Sequence, residues 1–355
     1  MQSMASLKLA TARRGACVDW SADWVSDLVE QRLRTVEKLL SGIRRGKVVE
    51  PGVVHRLRVA TRRARTSLEV AEAAGAPESA AERKALHRLR RIRREASEAR
   101  VIEVLERALT QRLEELLTGS ERTAIAFMLG VLSQEEKAAN AKVVRVAERY
   151  GAGKFRRMRR SLVRGLRGAG AAVGPDQAST ALAAQLASDV QAEANENLAD
   201  PDRLHAFRLA IKRLRYCLEA MKGESSTRFE NLMLQVMGLQ EDLGRLNDLN
   251  EAAHRVAALR DRAASSRASR PGAMPEEIPE GLDVLASKLD AEHRERLEEF
   301  LREWAESGAE RLKRAIGEAL GEAPGGAADW AETSEAPLVM VRSLQEAPAG
   351  ERVSV

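Results

Sequence analysis

Apolar residues recur along this chain at spacings of three and four, as amphipathic helices require, and no stretch alternates with a period of two. Ser21–Arg45 reads as a first helix with Ser21 as its N-cap, ended by Gly46–Gly52, which holds Pro51. A second helix spans Val53–Ala73 and stops near Gly75 and Pro77. Ser79–Leu117 reads as one long helix bent in its middle, Glu121–Tyr150 carries the pattern past Gly130, and Lys154–Gly168 is strongly basic. Beyond a Gly/Ala turn at Gly168–Pro175, helices are expected at Gln177–Leu198, Pro201–Lys222, Thr227–Leu246 and Asp248–Ala264. Ser265–Gly281, with Pro271, Pro275 and Pro279, reads as a flexible loop before a last helix at Leu282–Glu306 that extends toward Leu320. The expected fold class is all-α.

A shift of 150 residues lays VHRLRVATRRARTSLE, from Val54, over LHAFRLAIKRLRYCLE, from Leu204. His55 meets His205; Arg58, Arg63 and Arg65 meet Arg208, Arg213 and Arg215; Arg62 meets Lys212. The match, made without a gap and including a pair of rare histidines, indicates an internal duplication. Its halves are placed at 19–150 and 151–320, the second containing the flexible loop 265–281. A basic, flexible segment (1–18) precedes them, and a Gly-, Ala-, Pro- and Glu-rich tail (321–355), expected to be disordered, follows.

In each copy His, Arg, Arg/Lys and Arg stand at i, i+3, i+7 and i+10, an arc of roughly 80° on a helix. The apolar positions Leu204, Phe207, Ile211, Leu214 and Leu218 fill the adjoining arc, so the basic stripe borders the buried face, whereas a merely solvated face lies opposite it. Glu69 and Glu219, four residues beyond Arg65 and Arg215, can each neutralise one arginine. Two readings stay open: an anion-binding groove lined by both stripes, or a structural network in which carboxylates from other helices fill them. His55 and His205 have no second ligand at metal spacing on their own helices, so no metal is expected. Arg90, Arg94 and Arg157, from two further basic helices, are candidate additional contacts. In LQEDLGRLNDLNEA (Leu239–Ala252), Gly244 suits close packing or a C-cap, and Asp248 a cap or a partner that orients a basic group.

Composition narrows these readings. The net charge is only +5, with arginine far more common than lysine; the planar guanidinium fork matches two phosphate oxygens. Aromatic residues make up 3%, too few for the stacking platforms that hold single-stranded bases. No run of apolar residues is long enough to cross a membrane, and the basic N-terminus lacks the apolar core of a secretory signal, so a cytoplasmic location is expected. Cys17 and Cys217 cannot make a disulfide scaffold, and Cys217 reads as a small buried residue. Phosphate-binding loops, HExxH and nucleophile-elbow signatures are all missing, which gives neither an enzyme nor a cofactor to expect.

The paired H-x-x-R-x-x-x-[RK]-R-x-R motif, followed in the second half by L-G-x-x-N-D, resembles the CHAD family over roughly Asp19–Glu306. The resemblance implies two four-helix bundles related by pseudo-symmetry, a basic groove or pore between them, binding of inorganic polyphosphate and association with polyphosphate granules. It implies binding roles for His55, Arg58, Arg62, Arg63, Arg65, His205, Arg208, Lys212, Arg213 and Arg215, with Tyr216 as a further contact. The chain departs from the family pattern in two places. Val101 follows Arg100 where an L-G-x-x-R-D equivalent would carry Asp, and Thr66 stands where the second copy has Tyr216. No ExExK motif of a fused CYTH triphosphatase domain is present. The expected function is non-catalytic polyphosphate binding, strengthened toward pH ~6 by histidine protonation. A nucleic-acid backbone is the alternative ligand, and a structural or adaptor role the alternative class.

Overall fold

The computed structural model describes residues 23–46, 49–50, 52–115, 117–151, 153–221, 229–269 and 275–321. Among these residues the regular structure is all helix, joined by short turns, with no strand. The expected readings of segments 1–18 and 322–355, of Ser21 as a cap, and of Cys17 lie outside the described residues.

Helix α1 (Trp24–Gly46) buries Val25, Val29, Leu33, Val36, Leu40 and Ile43, one stripe at helical spacing. Helix α2 (Val53–Ala73) has the expected bounds. The expected long helix 79–117 is two helices, α3 (Ala80–Glu95) and α4 (Ser97–Arg112), broken at Ala96. Ser79 caps α3 by accepting from the Glu82 N–H at 3.1 Å. Helix α5 (Gly119–Tyr150) starts at a reciprocal cap between Thr118 and Glu121 and runs straight past Gly130. Helices α6 (Gly153–Ala169), α7 (Pro175–Ala194) and α8 (Pro201–Met221) follow.

Two expected helices of the second half are one. Helix α9 (Glu230–Ser269) is 40 residues long and passes through Gly244, Asn247 and Asp248 without a break. That corrects the reading of Gly244 as a cap, and the expected flexible loop is shorter than 265–281, because α9 reaches Ser269 and α10 (Glu277–Glu303) begins at Glu277. A π-helical turn, Trp304–Gly308, joins α10 to α11 (Ala309–Leu320). In that turn Trp304 packs on Phe207 and Phe300, with ring centroids 5.1 and 6.2 Å apart.

The apolar interior falls into two clusters. The first joins α1–α6 to the C-terminal part of α9 and the N-terminal part of α10. The second joins α7, α8 and α11 to the opposite parts of α9 and α10, with Val70 of α2. The cores therefore do not divide at 150/151: Phe155, Met158, Leu162 and Leu166 of α6 pack in the first. From Leu57 to Glu69, burial on α2 repeats on α8 from Phe207 to Glu219 at nearly every position, so both copies of the motif face their surroundings alike.

Candidate functional site

Leu57, Ala64 and Leu68 on α2, and Phe207, Ile211, Leu214 and Leu218 on α8, are buried and fix the rotation of the two helices. That rotation turns the adjoining basic positions into one cavity of about 840 Å³, closed by α4, α9 and α10. The cavity takes His55, Arg58, Arg62 and Arg63 from α2 and Arg208, Lys212, Arg215 and Tyr216 from α8.

The contacts cross between the two motif copies. Arg62 donates to the Tyr216 hydroxyl at 3.0 Å and lies over its ring, 5.6 Å from the centroid. Arg63 donates to Glu219 at 3.0 Å, and Glu219 also accepts from Arg215 at 2.9 Å. Arg58 is held by Ser97 of α4, donating to its hydroxyl at 2.6 Å. Tyr216 thus serves an arginine of the opposite copy. Thr66, its counterpart, is buried.

Cations gathered out of water depress one another's basicity. Burial, with Arg62, Arg93 and Arg100 close by, pulls Arg58 down to about 10. Lys212 falls to about 7 through burial and then through Arg208, Arg62 and Arg58, opposed by Asp248. Arg208 is lowered by burial and by Arg62, with Asp248 opposing, and its Nε is buried without a hydrogen-bond partner. His55 is lowered by burial and then by Arg100. Asp248 lines the cavity, and its charge opposes the depression of Arg208 and Lys212 without a hydrogen bond to either. At Val101 on α4 no acid stands in the cavity wall, and the nearby carboxylate, Glu103, is engaged by Arg100 at 3.0 Å.

Six candidates lie elsewhere. Arg65 turns to Glu69 at 3.1 Å and joins Arg90 in a small cleft between α2 and α3, which Arg62 also borders. Arg213 pairs with Asp189 of α7 at 3.2 Å. His205 is exposed and outside the cavity wall, and Arg94 points to solvent beside Glu95. Arg157 belongs to a separate cleft between α3 and α6. The sequence reading also missed wall residues, among them Arg112 and Gln111 of α4, Gln240 and Arg245 of α9 and Arg296 of α10. These have no counterpart in the repeat, so no periodic signal marked them. Arg112 is engaged by Glu292, and Gln240 buries its Oε1 without a partner. A Cβ on Gly244 would meet nothing within 4 Å, so this glycine leaves the α9 wall open.

Among the described residues no group of three or more His, Cys, Asp or Glu could hold a metal ion, and no helix is long and apolar enough to cross a membrane. Cys217 is buried, its thiol pushed up to about 12 by burial.

The chain matches no curated protein. Its architecture is similar to the CHAD domain from the plant Ricinus communis, with a TM-score of 0.56 and 20% identity over 85% of this chain and 92% of that one. PptA from Streptomyces chartreusis gives a TM-score of 0.48 and 19% identity over 83% of this chain and 98% of that one. The family model described as the CHAD domain matches residues 27–257, well over half of the sequence. The chain belongs to the CHAD domain family.

Proposed function

We propose that the central cavity binds inorganic polyphosphate without catalysing its turnover. The observation that carries this reading is the gathering of Arg58, Arg62, Arg208 and Lys212, from both motif copies, in one cavity that leaves their charge largely uncompensated. A chain of phosphates supplies closely spaced anionic oxygens to several such donors at once. Family membership is consistent with a polyphosphate-related function. The non-catalytic part extends the lack of an enzyme signature in the sequence; of the cavity acids, Glu219 is taken up by Arg63 and Arg215 and Glu292 by Arg112, while Asp248 and Glu251 also line the wall. A nucleic-acid duplex suits the site less well, because it carries its phosphates on the outside of a wide rod while these cations converge inward. The same proposal places the protein in the cytoplasm on polyphosphate granules, where granule fractionation would find it.

The deciding experiment is competition at ~150 mM salt between labelled long-chain polyphosphate and duplex DNA or RNA of equal charge. Polyphosphate is expected to win by about tenfold or more, and Arg58→Ala/Arg208→Ala/Lys212→Ala to lose it while staying folded. Equal competition by nucleic acid would make the cavity a generic basic surface. No binding of either polymer would leave its cations structural.

A further inference from the structure

Besides the exposed Arg160 and Arg164, helix α6 carries basic residues toward two neighbouring helices, and the structure treats those two sets differently. Toward α1, each has an acid: Arg156 and Arg159 meet Glu37 at 3.1 and 3.0 Å, Arg159 also meets Glu30 at 2.5 Å, and Arg167 meets Asp27 at 3.1 Å. Toward α3, Lys154 and Arg157 meet Lys84 and Arg88 instead. These four line a cleft of about 470 Å³ whose remaining wall is Ala80, Ala81, Met158 and Ser161, with no carboxylate in it. Lys84, Lys154 and Arg157 make no ion pair among the described residues. Arg88 is held in place, donating to the Lys154 carbonyl at 2.9 Å and lying over the Tyr150 ring, 5.7 Å from its centroid. Arg157 folds back toward Gly153, the first residue of α6.

A helix that merely needed solubility would mix acids with these bases, and one that needed packing would pair them, as α6 does against α1. Four cations from two helices around one concavity, one of them fixed by a carbonyl and a ring, are arranged for an anion brought from outside. The size suits a small one, with a few tetrahedral oxyanion units. The Ser161 hydroxyl adds a neutral donor, and the arginines supply paired N–H groups. No residue of this cleft lines the central cavity.

We propose that the α3–α6 cleft is a second anion site that takes phosphate groups, independently of the central cavity. The groups can come from a short free phosphate chain or from the outlying part of a long one.

Sodium tripolyphosphate and long-chain polyphosphate serve as the two probes. The readout is protection of Lys84 and Lys154 from amine acylation, followed peptide by peptide by mass spectrometry, with exposed Lys38 and Lys313 as internal controls. The host is the full chain carrying Arg58→Ala/Arg208→Ala/Lys212→Ala, so the central cavity contributes nothing. Tripolyphosphate is expected to slow acylation of Lys84 and Lys154 several-fold while the controls are unchanged. Arg157→Ala, which removes an exposed side chain without an ion-pair partner, is expected to weaken that protection about tenfold. Protection of the control lysines to the same degree would show only general screening and overturn the proposal. Protection by either probe that disappears with the cavity substitutions would show that the cleft fills only as an extension of the cavity, and would overturn its independence. Protection by long-chain polyphosphate alone in this host would name the long chain as the source, and protection by neither probe would overturn the proposal. Loss of the cavity reading alone would leave protection in the cleft intact, so the two claims fail separately.

Discussion

Lys212 is the residue at which the cavity's electrostatics can be tested most directly. Its amine sits at about 7 in the folded protein, against ~10.4 in an unfolded chain. Between those values the unfolded chain holds more protons than the folded one, so the stability of the ligand-free protein rises with pH from about 7 toward ~10. Below 7 the full penalty of charging the buried amine applies. Lys212→Met is therefore expected to stabilise the ligand-free protein at pH 6 by on the order of 1–3 kcal/mol, with the gain vanishing near pH 10. Urea unfolding of both proteins at pH 6, 8 and 10 checks it, and parallel pH slopes would show that Lys212 carries no buried charge. Polyanion binding reverses the same balance. At pH 8 it should draw a proton onto Lys212, seen in calorimetry as a dependence on buffer ionisation enthalpy that the methionine variant lacks. The sequence had assigned pH sensitivity to His55 and His205, with a rise in affinity toward pH 6. In the structure one of them lines the cavity and is pulled toward its neutral form, while the other is exposed outside it. The larger shift belongs to Lys212, which the repeated motif marks as a contact but not as a titrating group.

At the scale of helices, two glycines have opposite roles. Gly281 sits where α10 crosses α5, and a Cβ there would fall 2.0 Å from the Ser120 carbonyl oxygen, a backbone atom that cannot step aside. Gly281→Ala is expected to push the helices apart and cost about 1–3 kcal/mol, read as a lower midpoint in thermal unfolding. Gly244 is in mid-helix with open space at its Cβ position. Gly244→Ala should stabilise α9 by roughly 0.5–1 kcal/mol, while Gly244→Leu should block the cavity and weaken polyphosphate binding with no loss of stability. Stabilisation by leucine with unchanged binding would place the ligand elsewhere. The helix pattern was legible where local signals agreed, as at Val53–Ala73, where a glycine, a proline and the apolar period coincide. It failed where tertiary packing overrode them. The sequence around Gly244, Asn247 and Asp248 reads as a break, yet α9 runs on because it is packed against other helices in both cores. At Ala96, near the middle where the sequence suggested a bend, the helix breaks outright, and Ser97 and Arg100 beyond it meet α2 and the cavity.

For the whole molecule, the repeated motif announced that two basic faces would come together, and α2 and α8 bring them there. The assembly of the remaining walls was hidden, because Arg112, Gln240 and Arg296 reach the cavity only through how α4, α9 and α10 are stacked. The two cores share α9 and α10, so neither closes without residues that also belong to the other's helices. The described body should therefore unfold in one cooperative step, with circular dichroism and calorimetry giving the same transition. Two resolved steps would show that the cores are separable.

The long shared helices also bear on how fast a ligand can enter. Helix α9, about 60 Å long at 40 residues, lines the cavity along its middle and anchors a core at each end. Neither half can swing about a loop without bending that rod, so the opening keeps its shape whether or not anything occupies it. A polymer then has to thread or slide into a fixed aperture, with no closing step to wait for. Observed association rates should climb in proportion to polymer concentration without levelling off, and chain ends, more numerous in short polymers at equal total phosphate, should set the pace of entry.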